Sequence, residues 1–247
     1  MRTFALWAIP LMAYHLAAPT LAQAQISSQT APTYRGDTGP EIGFRLGWAV
    51  PAGDATGDSR GLLSDRFAGV LPIVFDLGYR LHPRVYIGAY FQYGFGFVND
   101  SPGSWAEPCG RTGSRCSISS VRWGGDIRVH LMPTRKIDPW LGTGIGHEKM
   151  TFDAYALDPY TGAQAETHWT ASGLEYVHAD VGAEHRGSRN VSIGAILSVS
   201  VGHYSNETNW YPLSGQRSPG GGTIAIPSGA VHEWIMFCVR VSYLIPV

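Results

Sequence analysis

Beyond its first two dozen residues the chain has no uninterrupted apolar run of the length a membrane helix needs. Any integral insertion into a membrane must therefore be by strands. Charged residues are also scarce, at 15%, and the formal net charge is −1. That balance gives no reason to expect nucleic acid or a strongly anionic partner. There are three cysteines and no Cys-x-x-Cys, and the nine histidines never form a His-Glu-x-x-His. No metal site and no cofactor is expected from motif spacing. Glycine, at 31 residues, and aromatics, at 12%, are abundant. They fall into a period-two alternation that recurs about eight times. It is clearest from Val85 to Phe97, where odd positions are mostly large and apolar and even ones are glycine, tyrosine or glutamine.

The amino terminus reads as a signal peptide, 1–24. Met1-Arg2 supplies a minimal positive region, Phe4 to Leu16 a short apolar stretch, and Ala22-Gln23-Ala24 an A-x-A cleavage site. An N-terminal extension, 25–39, and one barrel domain, 40–247, are expected to follow. In an oxidising compartment Cys109 and Cys116, close together in a Gly/Pro-rich loop, are expected to bond to each other. Cys238 lies within a strand pattern and reads as a free, buried thiol.

Strands are expected over roughly 41–51, 68–81, 84–98, 118–131, 139–151, 174–186, 190–204 and 231–244. In each, one face is apolar: Ile42, Phe44, Leu46, Trp48 and Val50, for example, against Gly43, Arg45, Gly47 and Ala49. Short turns near 82–84, 132–138 and 187–190 alternate with long connections near 52–67, 99–117, 152–173 and 205–230. The short turns and both termini then fall on one side of the sheet, and the long loops on the other. The fold class this predicts is all-β: an eight-stranded antiparallel up-and-down transmembrane barrel with periplasmic turns and four outer loops.

In this layout, and in Asp138-Pro139-Trp140-Leu141-Gly142-Thr143-Gly144-Ile145-Gly146, the chain resembles the small eight-stranded outer-membrane barrels of OmpA/OmpX type or OmpW-like layout. The resemblance covers essentially the whole mature chain. It implies a bacterial outer-membrane location, with outer-membrane lipid and lipopolysaccharide as surroundings. Such barrels usually end on an aromatic residue; here Tyr243 is followed by four more residues, Leu244-Ile245-Pro246-Val247. The spacing-of-two glycines put all three on one strand face with no helix to follow. They therefore read as room for bulky neighbours such as Trp140, not as a nucleotide loop.

The face opposite the apolar one carries Arg45, Arg80, Arg122, Arg128 and Arg240 with Asp76, Asp126, Glu148, Asp180 and Glu184. Five charges of each sign in a narrow barrel predict a salt-bridged lumen without an open channel. One tetrapeptide points to chemistry. His203-Tyr204-Ser205-Asn206 resembles the His-x-Ser-Asn signature of the outer-membrane lipid A deacylases. That resemblance implies a triad of Ser205, His203 and a carboxylate, here Glu233. The alternative for these residues is an ordinary position at the membrane interface. The leading expectation is a non-enzymatic, monomeric outer-membrane barrel with a structural or surface role, meeting any extracellular ligand through its loops. The second is a lipid A acyl hydrolase. The third is a soluble lipocalin-like carrier, which requires an apolar interior.

Overall fold

The computed structural model describes residues 37–56, 62–104, 106–157, 164–188, 190–210, 223–226, 230–245 and 247. The expected signal peptide and most of the 25–39 extension lie outside these residues. Alternation builds nine antiparallel strands: β1 (Gly39–Gly53), β2 (Phe67–His82), β3 (Val85–Val98), β4 (Arg115–His130), β5 (Ile137–Leu157), β6 (Gln164–Arg186), β7 (Val191–Trp210), β8 (Thr223–Ala225) and β9 (Val231–Leu244). Consecutive strands from β1 to β7 pair in order, and β9 pairs with both β7 and β1, so eight strands close on themselves. The ninth, β8, is a short partner to the outer end of β7, at Thr208↔Thr223.

The closed barrel turns its apolar face outward. Phe44, Phe75, Leu77, Phe91, Ile127, Leu141, Val181, Leu197, Phe237 and Val239 are all exposed. Such a belt is stable against hydrocarbon and costly in water. Aromatic pairs mark its outer edge: Trp48 with Phe97, ring centroids 5.0 Å apart, and Tyr93 with Phe95, also 5.0 Å. Tyr79 and Tyr243 stand outward towards the opposite end.

Three strands run further than alternation suggested. Pairing of β5 with β6 continues to Leu157↔Gln164, and β7 extends to Trp210. The expected loop over 152–173 is therefore mostly a hairpin, and the start of the expected 205–230 loop is strand. The expected 52–67 loop carries a single helical turn, α1 (Leu63–Arg66). The reason lies in the solvent. Along β5 the inward residues change from Gly142, Gly144, Gly146 and Glu148 to Met150, Phe152 and Ala154, while the outward ones change from Leu141 and Ile145 to Lys149, Thr151 and Asp153. Outside the bilayer the same strand faces water, so its greasy side turns inward.

Two bulges set the register between β6 and β7. On β6 the pairing steps from Glu175↔Gly202 to Val177↔Val201, leaving Tyr176 extra; Tyr176 and Val177 are both exposed. On β7 it steps from Ser172↔Asn206 to Gly173↔Tyr204, leaving Ser205 extra. A bulge of one residue reverses which parity faces the lumen.

Candidate functional site

All ten of the charges expected inside are buried. Around the mid-barrel, Arg45 reaches Asp76 at 2.5 Å and Asp126 at 3.3 Å, and its other amino group lies 3.5 Å from Asp180. Arg128 contacts Asp126 and Asp76 at 2.5 and 2.9 Å. Its guanidinium lies 4.5 Å from the centre of the Tyr86 ring. Arg240 joins Asp76, Glu41 and Glu184, and Arg80 closes on Glu41 at 2.6 Å. Nearer the outer end, Arg122 bridges Glu175 at 2.6 Å and Glu148 at 3.7 Å. Glu148 also accepts from Tyr204 at 2.5 Å and from Trp234 Nε1 at 3.0 Å.

The even balance of five and five is corrected by this geometry. Glu41 and Glu175 also point inward and belong to the same connected network. It therefore carries seven carboxylates — Glu41, Asp76, Asp126, Glu148, Glu175, Asp180 and Glu184 — against the five arginines. His178 and His232 join it through Glu175 and Glu148. At the periplasmic rim Asp138 forms a separate cluster with His130 at 2.9 Å and Arg186 at 3.1 Å. Glu175 was hidden by the Tyr176 bulge, which gives it the opposite parity to Asp180 and Glu184. Glu41 shares the parity of Arg45 and was within reach of alternation alone.

The lumen glycines have separate tasks. A Cβ at Gly142 would lie 3.1 Å from the Trp140 ring, whereas at Gly144 and Gly146 it would strike His178 and the Tyr90 hydroxyl. Trp140 is accommodated mainly by Gly182, on the neighbouring strand.

Above the network the interior becomes apolar. Leu63, Phe67, Ile118, Met150, Phe152, Trp169 and Ala171 are buried together, and Arg66 of α1 lies 4.6 Å over the Trp169 ring. The loop between β3 and β4 folds against α1: Asn99 Nδ2 donates to the Ser64 carbonyl at 2.8 Å. It holds the Cys109–Cys116 disulfide, while Cys238 is free and buried. In the same loop the backbone N–H of Gly103 and the side chain of Arg111 lower the pKa of the exposed Glu107 carboxyl.

The residues of the hydrolase reading are placed as follows. His203 is buried and its ring stacks on Tyr176, centroids 6.3 Å apart and planes within 5°. Ser205 is the bulge residue; its hydroxyl donates to the Ser172 carbonyl at 3.4 Å and accepts from Asn206 Nδ2 at 3.1 Å. Glu233 faces outward opposite Val201, while His203 is paired with Val231. His203 and Tyr176 lie at the aromatic outer edge of the belt. The carrier reading fails on the fold itself, because the apolar face is outside and the middle of the lumen is charged.

No family model matches the sequence, and no curated protein matches it. Solved structures do match. A major outer membrane protein from Thermus thermophilus is 11% identical, with a TM-score of 0.51; the match covers 82% of this chain and 99% of that one. Neisserial surface protein A (NspA) is 12% identical with a TM-score of 0.47, covering 83% and 97%. The outer membrane protein OprG from Pseudomonas aeruginosa is 8% identical with a TM-score of 0.48, covering 85% and 98%. With its closed eight-stranded wall and continuous outward apolar belt, this chain has the fold of the small outer-membrane β-barrels and resides in the bacterial outer membrane.

Proposed function

We propose that this protein is a non-conducting, monomeric surface barrel whose interaction element is its outer rim. The observation that carries this reading is the change of interior along the axis, from a charged network to an apolar core roofed by α1 and Trp169. Ions crossing such a lumen would have to break buried pairs and then pass an apolar section. Both steps oppose flow. The extended β5–β6 hairpin, meanwhile, presents water-facing polar groups: Lys149, Thr151, Asp153, His168 and Thr170. A hydrogen bond between Asp153 and His168 ties its two strands. A rigid polar ledge beside a disulfide-closed loop suits recognition of a polar extracellular partner or of neighbouring lipopolysaccharide.

Planar-bilayer recording tests the closed lumen. The expected result is no regular channel steps. Large stable openings would overturn it. Replacing Lys149 and His168 together with alanine is expected to weaken binding of the purified barrel to lipopolysaccharide without changing barrel assembly. Expressing cells are also expected to keep their lipid A acylation pattern. Loss of one acyl chain, abolished by Ser205→Ala, would replace this reading with the hydrolase.

A further inference from the structure

We infer that the mid-lumen holds one divalent transition-metal ion, of the zinc class, between Asp126, His178 and Asp180. Ligand atoms of these three side chains lie within 4.8 Å of one another, and all three residues are buried. Asp126 comes from β4, and His178 and Asp180 from β6. The strand between them contributes Gly144, which pairs with Asp126 on one side and His178 on the other. Because residue 144 has no side chain, the imidazole occupies the space above it; a Cβ there would stand 2.4 Å from His178 Cε1. The glycine thus lets groups two strands apart converge.

Three observations point to a ligand. First, Oδ1 of Asp126 and Oδ1 of Asp180 are buried with no hydrogen-bond partner. Arg45 and Arg128 hold the Oδ2 atoms, so one oxygen of each carboxylate is left over. Buried acceptors in native proteins are nearly always satisfied, by protein, water or ion. Second, His178 Nδ1 lies 3.0 Å from Glu175 Oε1. An ionised carboxylate only accepts, so Nδ1 carries a proton, and Nε2 is the ring nitrogen left to bind a metal. Nε2 is 3.9 Å from Asp180 Oδ2. A carboxylate behind a histidine is the usual way to orient a metal-binding imidazole. Third, the connected network has seven carboxylates and five guanidiniums. A divalent cation supplies the two positive charges it lacks.

The donor set selects the ion class. Calcium takes six to eight oxygens and magnesium keeps most of its waters, whereas one imidazole with two carboxylates suits zinc and its neighbours. Tetrahedral zinc, with bonds of roughly 2.0–2.2 Å, places its ligand atoms about 3.3 Å apart, so the three side chains must draw together on binding. Water supplies a fourth ligand. The ion would tie β4 to β6 across β5 as a structural staple.

The test uses the untagged, detergent-extracted barrel, stripped with a chelator and titrated with Zn2+. The expected result is about one equivalent taken up, with a higher urea midpoint. In His178→Gln and Asp180→Asn, affinity falls at least about ten-fold and the midpoint no longer responds. Retained heat-modifiable gel mobility shows that those variants are folded. Absence of stoichiometric uptake by the folded wild type overturns the proposal, and so does equal uptake by both variants. Zinc-edge X-ray absorption of the wild type decides the matter even if a variant fails to assemble. One imidazole among oxygens supports the site. Two or more imidazoles assign the zinc to surface histidines and overturn the site.

Discussion

The lipid-facing part of the barrel and its outer extension are built from the same strands, yet their interiors are opposites. Within the belt, β5 turns Leu141 and Ile145 to lipid and glycines and Glu148 to the lumen; beyond it, Met150 and Phe152 turn in and Lys149 and Asp153 turn out. The backbone alternation does not change, only the medium outside it. In the bilayer the hydrophobic demand is met by the surroundings, so the inside is free to be polar. In water the strand must find its apolar contacts within. The lumen charges are consequently held by mutual pairing, and the outer cap by burial.

The largest expected effect comes from breaking the pairing. Arg240→Met leaves Glu41, Asp76 and Glu184 each short of a partner, and about 3–5 kcal/mol of barrel stability is expected to go. Urea unfolding followed by gel mobility reads this. Arg111→Ala, at an exposed pair with Glu107, is expected to change nothing in the same assay. Equal effects would erase the distinction between lumen and loop.

Next is the cap. Phe152→Ala is expected to remove roughly 3–5 kcal/mol of local packing. The loss should show as faster proteolysis of the β5–β6 hairpin, while the membrane-embedded part keeps its heat-modifiable mobility. A collapse of the whole barrel would mean that the two regions fold as one unit.

Placing arginine along β5 then locates the boundary. Leu141→Arg is expected to cost about 2–4 kcal/mol in a bilayer and Tyr155→Arg about 0–1, by refolding into vesicles. Matching costs would put Tyr155 in lipid. The smallest effect is expected from Cys109→Ser with Cys116→Ser. The bridge spans a sequence separation of 7 within one loop, so barrel unfolding should be unchanged and only loop cleavage accelerated.

Period-two alternation was enough to reveal the strands in the bilayer, since Phe44, Phe91 and Phe237 face out wherever their neighbours face in. It failed where its phase changed for a physical reason. Met150, Phe152 and Trp169 look like the end of a pattern because the hydrophobic side switches at the water boundary. Glu175 looks lipid-facing because Tyr176 is an extra residue. The convergence of Asp126 with His178 has no sequence spacing to reveal it. It depends on the register of β4, β5 and β6 and on the missing side chain at Gly144. The Ser205 bulge has the same lesson for the hydrolase motif: a tetrapeptide carries residue types, and one extra residue decides which way they point.

The pairing of Arg240 has a consequence for the order of assembly. It sits on β9, and its partner Glu41 on β1 is 199 positions earlier. Until the last strand arrives, the acidic groups on β1, β2 and β6 lack the cation that joins them. A nascent, unclosed sheet therefore carries uncompensated negative charge on its concave side. That charge keeps the side hydrated and discourages two unfinished sheets from stacking face to face. Closure of β9 against β1 brings Arg240 onto Glu41, Asp76 and Glu184 in one event. Completion of the wall and pairing of these three carboxylates are thus a single step, with Arg240 as the latch.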